Sequence, residues 1–193
     1  EVEEVFLTTL ALPAGLQIKA GHFFLEFGRL NPRHPHTWNF VNQPVVNTRM
    51  FGGDGLRTPG FSLSWLPSLP WYADLKIGVH NANGETASSF LSAPGGHDGE
   101  GEGSEFAGHP LIEREVDSVD DLLYLFRWLN SLDLTETATV NLGVSAVFGP
   151  NATGDDTRTE ILGGDLYLKW KASRNYRGWP FAALQSEVMF RRY

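Results

Sequence analysis

The sequence contains no cysteine. Disulfides and thiolate metal sites are therefore excluded, and the composition is compatible with a periplasm-facing protein. It also lacks any run of 18 apolar residues, which excludes a transmembrane helix. Basic residues are few: 15 Lys and Arg stand against 23 Asp and Glu, a net charge of −8. No nucleic-acid partner is expected, because neutralising phosphates takes a basic surface. The sequence opens on the acidic run Glu1-Val2-Glu3-Glu4, with no basic-then-apolar leader, so a mature protein or an internal segment is expected.

What the chain does have is alternation. In Trp71–Asn81, Trp71, Ala73, Leu75, Ile77 and Val79 alternate with Tyr72, Asp74, Lys76, Gly78 and His80. In Thr137–Phe148, Ala138, Val140, Leu142, Val144, Ala146 and Phe148 alternate with small or polar residues. A period of two is the strand period, since successive side chains leave opposite faces. The pattern predicts eight strands: Glu3–Leu12, Leu16–Phe27, Gly60–Leu66, Trp71–Asn81, Asp121–Leu132, Glu136–Phe148, Thr159–Lys171 and Pro180–Arg192. Several exceed the usual soluble strand of about 5–6 residues. They fit the roughly 9–11 tilted residues that cross a bilayer. Because only every second residue faces lipid, a hydrophobic content of 41% is no obstacle.

The connections alternate short and long, with long ones at 28–59, 82–120 and 149–158. Bacterial barrels have short periplasmic turns and longer outer loops, so odd strands are expected to run toward the periplasm. Trp65, Trp71, Trp128, Trp170 and Trp179 lie near short turns, where an aromatic girdle would sit. The expectation is one all-β domain over 1–193, an antiparallel up-and-down transmembrane β-barrel with about eight strands in this chain. The first strand would then start outside and the last end outside, unlike a complete bacterial barrel. The chain is therefore expected to be part of a larger barrel, with a closed eight-strand barrel as second choice.

Leu16-Gln17-Ile18-Lys19-Ala20-Gly21-His22-Phe23-Phe24-Leu25-Glu26-Phe27-Gly28-Arg29-Leu30-Asn31 resembles a strand-and-loop signature of porin-like proteins. So do 34–44, 52–57, Asp165–Lys171 and Arg177–Phe181. Together these runs are similar to a family of uncharacterised Gram-negative outer-membrane β-barrel proteins. Its members are often labelled zinc-regulated TonB-dependent outer-membrane receptors or phosphate-selective-porin-like proteins. The resemblance implies the bacterial outer membrane as location. A TonB-dependent receptor would also carry a plug domain and an energy-coupling box, and neither is visible in this sequence.

Polar residues on one face of the strands suit a water-filled lumen: Lys19, Asp74, Lys76, His80, Asn141, Asp165, Lys169 and Glu187. The 28–59 loop carries Arg29, Arg33, Arg49 and Arg57 against one acid, Asp54, whereas Glu85–Asp121 holds ten acids and one base. One loop is expected to fold over the mouth and pair with the other, making a charge-selective constriction. His34, His36, His97, Asp98 and His109 offer imidazole and carboxylate for zinc, without the tight spacing of a known motif. No enzyme is expected: there is no nucleophile elbow, and Gly52-Gly53-Asp54-Gly55 is a turn signal without the lysine of a phosphate loop. The leading expectation is a barrel passing small solutes through a polar lumen, with no cofactor. Its partners would be outer-membrane lipid, small solutes and further barrel strands or a homo-oligomer. The alternatives are a zinc-binding outer-membrane receptor and a soluble β-sandwich module that binds sugars on Trp38, Trp65 and Trp71.

Overall fold

The computed structural model describes residues 3–91, 105–106, 109–112 and 114–193. Eight strands form one antiparallel sheet. They are β1 (Val5–Thr8), β2 (Leu16–Phe24), β3 (Arg57–Trp65), β4 (Tyr72–Asn81), β7 (Leu122–Thr135), β8 (Ala138–Pro150), β9 (Arg158–Tyr176) and β10 (Trp179–Arg192). A separate ladder of β5 (Glu105–Phe106) and β6 (His109–Pro110) lies within the connection from β4 to β7. The order β1-β2-β3-β4-β7-β8-β9-β10 follows the chain, so the sheet is an up-and-down meander.

All eight expected strands exist, with shifted ends. β1 is shorter than expected, and its ladder with β2 stops at Thr8 opposite Lys19. β9 is extended to Tyr176, which pairs with Trp179 across a register shift that separates this pair from Lys171 opposite Phe181, so the turn shrinks to Arg177 and Gly178, both at positive φ. The 28–59 loop holds a short helix, α1 (Val45–Phe51), between Pro44 and Gly52. Gly52 takes a φ of 77°, a left-handed conformation that ends the helix at low steric cost.

β1 and β10 are not paired with each other, so the sheet is open. This corrects the second choice of a closed eight-strand barrel. The physical reason is space. An eight-strand barrel leaves room inside only for its own side chains, whereas here the 28–59 loop lies against the inner face. The sheet is nevertheless curled. The backbone of Arg29 is five residues past the end of β2, a reach of about 17 Å. Its N–H donates to Glu187 Oε1 on β10 at 3.1 Å. In a flat sheet β10 would lie about 29 Å from β2, and one glutamate side chain cannot span the difference.

The two faces differ in what covers them. On the inner face, at the end bearing the long connections, Leu123, Leu125, Val147, Ile161 and Met189 pack with Leu25, Phe27, Phe51, Leu56, Phe90 and Leu91 from the connecting segments. Among the described residues no second layer covers the outer face. Its alternate residues are large and apolar yet exposed: Ile77, Val144, Leu184 and Phe190 are 51%, 50%, 56% and 70% accessible.

Candidate functional site: the layered inner face

Strand register sorts the inner side chains into rows across the sheet. One row places Ser64, Lys76, Arg127, Ser145 and Gly163 side by side on β3, β4, β7, β8 and β9. The next, one step toward the short turns, holds Asp74, Leu129, Gly143, Asp165 and Glu187. A basic row thus faces an acidic row, and the pairs between them are diagonal. Arg127 Nη1 and Nη2 donate to the two oxygens of Asp165 at 2.9 and 3.3 Å, and Nη1 also donates to Ser145 Oγ at 2.8 Å. Lys76 lies 3.4 Å from Asp74 and pairs with Glu26. Gly143 leaves room for the Asp165 carboxylate: a Cβ there would stand 2.2 Å from Asp165 Oδ2. Such buried, forked pairs fix geometry more than they add stability.

Beyond the acidic row the face becomes hydroxyl and amide. Ser131 donates to Asn141 Oδ1 at 2.8 Å, and Thr139 donates to Asp133 Oδ1 at 2.7 Å. Asn141 is opposite Tyr167, and Tyr167 is opposite Gln185.

The 28–59 loop docks on these rows. The Gly28 N–H donates to Ser145 Oγ at 3.0 Å. The Arg29 guanidinium lies 3.8 Å from the centre of the Tyr167 ring. Arg191 Nη1 on β10 donates to the Arg49 carbonyl at 3.0 Å. Position 28 requires glycine twice over: its φ is 62°, and a Cβ would land 1.7 Å from Glu187 Oε1.

Lys19, Asp74, Lys76, His80, Asn141, Asp165, Lys169 and Glu187 therefore share the inner face. Their surroundings differ. Lys19 lies 4.0 Å from the Phe6 ring centre and 4.2 Å from that of Phe23. His80 is buried edge-on against Phe23, with ring centres 5.1 Å apart, and Gly60 opposite it leaves space for the imidazole. Lys169 stands 6.0 Å from the Phe181 ring centre.

Of the four arginines expected in the constriction loop, Arg29 stacks on Tyr167 of β9, and Arg33 and Arg49 lie in the loop. Arg57, by contrast, is not a loop residue: it opens β3, pairs in register with Phe24 and is buried. The connection between β6 and β7 is held separately. Arg114 Nη1 lies 3.3, 3.1 and 3.1 Å from the carbonyls of Asn151, Gly154 and Thr157, and Nη2 donates to Asp121 at 2.6 Å. The Arg114 hydrogen bond, with help from Ser118, holds the Asp121 carboxyl below the ordinary carboxylate range.

The described histidines do not converge on a metal. The two ring nitrogens of His34 are 3.0 and 2.9 Å from Glu3 and Glu4, and its ring stacks on His36 with centres 5.5 Å apart. His109 is in β6. His97 and Asp98 lie outside the described residues. Among the described residues no group of three or more His, Asp or Glu is placed to hold a metal ion.

The three tryptophans suggested as a sugar platform are divided between the 28–59 loop and the ends of the β3–β4 connection. Trp38 is in the loop beside Phe40, Trp65 ends β3, and Trp71 donates to Asn130 Oδ1 at 3.1 Å. Arg127, Ser145, Glu26 and Tyr167 complete the site. Arg127 is hidden in sequence within Leu-Leu-Tyr-Leu-Phe-Arg-Trp-Leu, where the alternation is drowned by apolar residues on both faces.

Comparison with known proteins adds one relative. The chain is 34% identical over 203 residues to an uncharacterized protein of Aquifex aeolicus (strain VF5). The match takes in 99% of this chain and 39% of that protein, so the chain spans about two fifths of its relative's length. No family model matches the sequence, and no solved structure does.

Proposed function

We propose that this chain forms part of the wall of a bacterial outer-membrane β-barrel that passes small solutes through a polar lumen. The observation that carries the reading is the outer face. On β8, six consecutive outward positions are apolar: Ala138, Val140, Leu142, Val144, Ala146 and Phe148. Of these Leu142, Val144 and Phe148 are exposed, and so are Tyr124, Phe126 and Trp128 on the neighbouring β7. Ten residues of strand measure about 34 Å, and a tilt of 35–45° brings this to about 25 Å, the height of the apolar band of such barrels. A water-soluble sheet would cover a patch of this size. The one amide on the β7 stretch of this face, Asn130, accepts from the Trp71 indole, as polar groups in hydrocarbon must find partners.

The remaining features are consistent with this picture. The inner face is charged and hydroxylated, as a lumen wall would be. The open edges of β1 and β10 would be joined by further strands, and the relative has length beyond the match to supply them. The 28–59 loop, anchored through Gly28 and Arg29 to β8 and β10, would narrow the lumen at its outer end. In this picture the loop residues Arg29, Arg33 and Arg49 set the sign of the field that a solute meets.

The test exploits the absence of cysteine from this chain, with any cysteine elsewhere in the full-length protein replaced by serine. Single cysteines are placed along β8 in the full-length protein expressed in the outer membrane. Labelling should alternate: a water-soluble maleimide should spare cysteines at 142, 144 and 146 and label those at 139 and 141, with a lipid-soluble reagent giving the reverse. Uniform aqueous labelling of the outward positions, or release of the protein by a carbonate wash without detergent, would overturn the reading in favour of a soluble β-sandwich.

A further inference from the structure

We infer that the inner face beside β10 binds a neutral polyhydroxylated ring, a mono- or disaccharide. The inference rests on the pore reading and names the solute class for it. A cavity of about 530 Å³ lies between the 28–59 loop and the inner sides of β9 and β10. Its size falls within the range of small-ligand sites. Three aromatic rings line it, Phe40 from the loop and Tyr167 and Phe181 from the sheet, together with the planar polar side chains Asn39, Gln185 and Glu187.

These two groups of residues match the two kinds of surface on a sugar. The C–H faces of a pyranose are apolar and pack on aromatic rings. Its equatorial hydroxyls each donate and accept, which carboxamides and a carboxylate can answer in pairs. Gln185 and Asn39 line the cavity with a donor and an acceptor each, and the Glu187 carboxylate lies at its edge. Charges of both signs stand nearby, Arg29 and Lys169 against Glu187, so no cluster of one sign is presented to select an ion. The Arg29 guanidinium is stacked on Tyr167, the Arg29 backbone N–H donates to Glu187, and Lys169 is near the Phe181 ring.

The full-length protein reconstituted in planar bilayers gives the readout, with maltose as the probe. Maltose should reduce the current saturably, with half-block in the millimolar range. Tyr167→Ala and Gln185→Ala should each raise the half-blocking concentration by about tenfold, as the loss of one stacked ring or one amide pair implies. Tyr167→Phe should retain the block, which separates loss of the ring from loss of the fold. A current insensitive to maltose removes the inference and leaves the pore reading standing. So does a maltose block that the Tyr167→Ala and Gln185→Ala variants leave unchanged, or equal block by sodium sulfate. If no current flows, calorimetric titration of the protein in detergent decides. Saturable maltose binding that Tyr167→Ala abolishes keeps the site while the pore reading fails, and absence of binding ends both.

Discussion

The loop end and the turn end of the inner face are built from the same strands with the same period of two, yet they are different environments. At the loop end Leu125, Val147, Ile161 and Met189 are capped by Phe27, Phe51 and Phe90, and the packing is dry. At the turn end the same strands present Ser131, Asn141, Thr139 and Lys169, which are only partly buried or exposed. The two rows of opposite charge, centred on Arg127 and Asp165, mark the boundary. Alternation therefore tells which face a residue occupies. What lies over that face is decided by segments that have no period of their own.

The boundary should be the most sensitive place. Arg127→Ala leaves the Asp165 carboxylate buried without its partner and should cost about 3–5 kcal/mol, whereas replacing both by leucine should recover most of that loss. Urea unfolding of the detergent-solubilised protein measures both. A loss under about 1 kcal/mol would mean that water reaches the pair, and the boundary would then lie nearer the loops.

The dry end comes next. Phe51→Ala removes a buried ring packed against Phe27 and should cost about 3 kcal/mol. The matching change at the turn end, Asn141→Ala, should stay within about 0.5 kcal/mol. Equal costs at the two sites would erase the contrast.

Gly28→Ala tests the docking of the loop itself. A left-handed φ and the collision with Glu187 should cost about 1–2 kcal/mol or undock the loop. Faster proteolytic cleavage within 28–59 would report the undocking, and Glu187→Ala in the same chain should partly reverse it by clearing the collision.

The smallest effect is expected outside the sheet, at Arg114 and Asp121. The Asp121 pKa is lowered in the folded protein, so its stabilising contribution is present at neutral pH. That contribution should be lost as the pH falls below the ordinary aspartate value of about 3.9 and through the folded value. Amide exchange in 149–158 should rise on acidification over that window, and Arg114→Met should make exchange there high at both pH values.

Much of the sheet was legible because its chemistry is local. Asp74, Lys76 and His80 alternate with Leu75, Ile77 and Val79, and the eight strands and their inner positions follow from that pattern. Strand ends were less legible, since β9 runs on to Tyr176, across a register shift, through residues with no apolar period. Within the candidate site, the acids and lysines of the clear strands could be placed, but Arg127 could not, because β7 is apolar on both faces near its loop end. The loops were read as polar covers from their charges. Their folding inward depends on a few rings, Phe27, Phe51 and Phe90, whose destination is set by the whole sheet. Zinc chemistry drew on residue types alone, and His34 turned out to be flanked by two glutamates.

The free margins of β1 and β10 carry a consequence for assembly. Hydrocarbon offers nothing to an amide proton or a carbonyl, so a ribbon with two raw borders has no stable resting place inside a bilayer. On the barrel reading, these eight strands cannot enter lipid first and find their companions afterwards. Sealing the seam and crossing the membrane have to be one event, and until it happens each border is an invitation to the wrong neighbour.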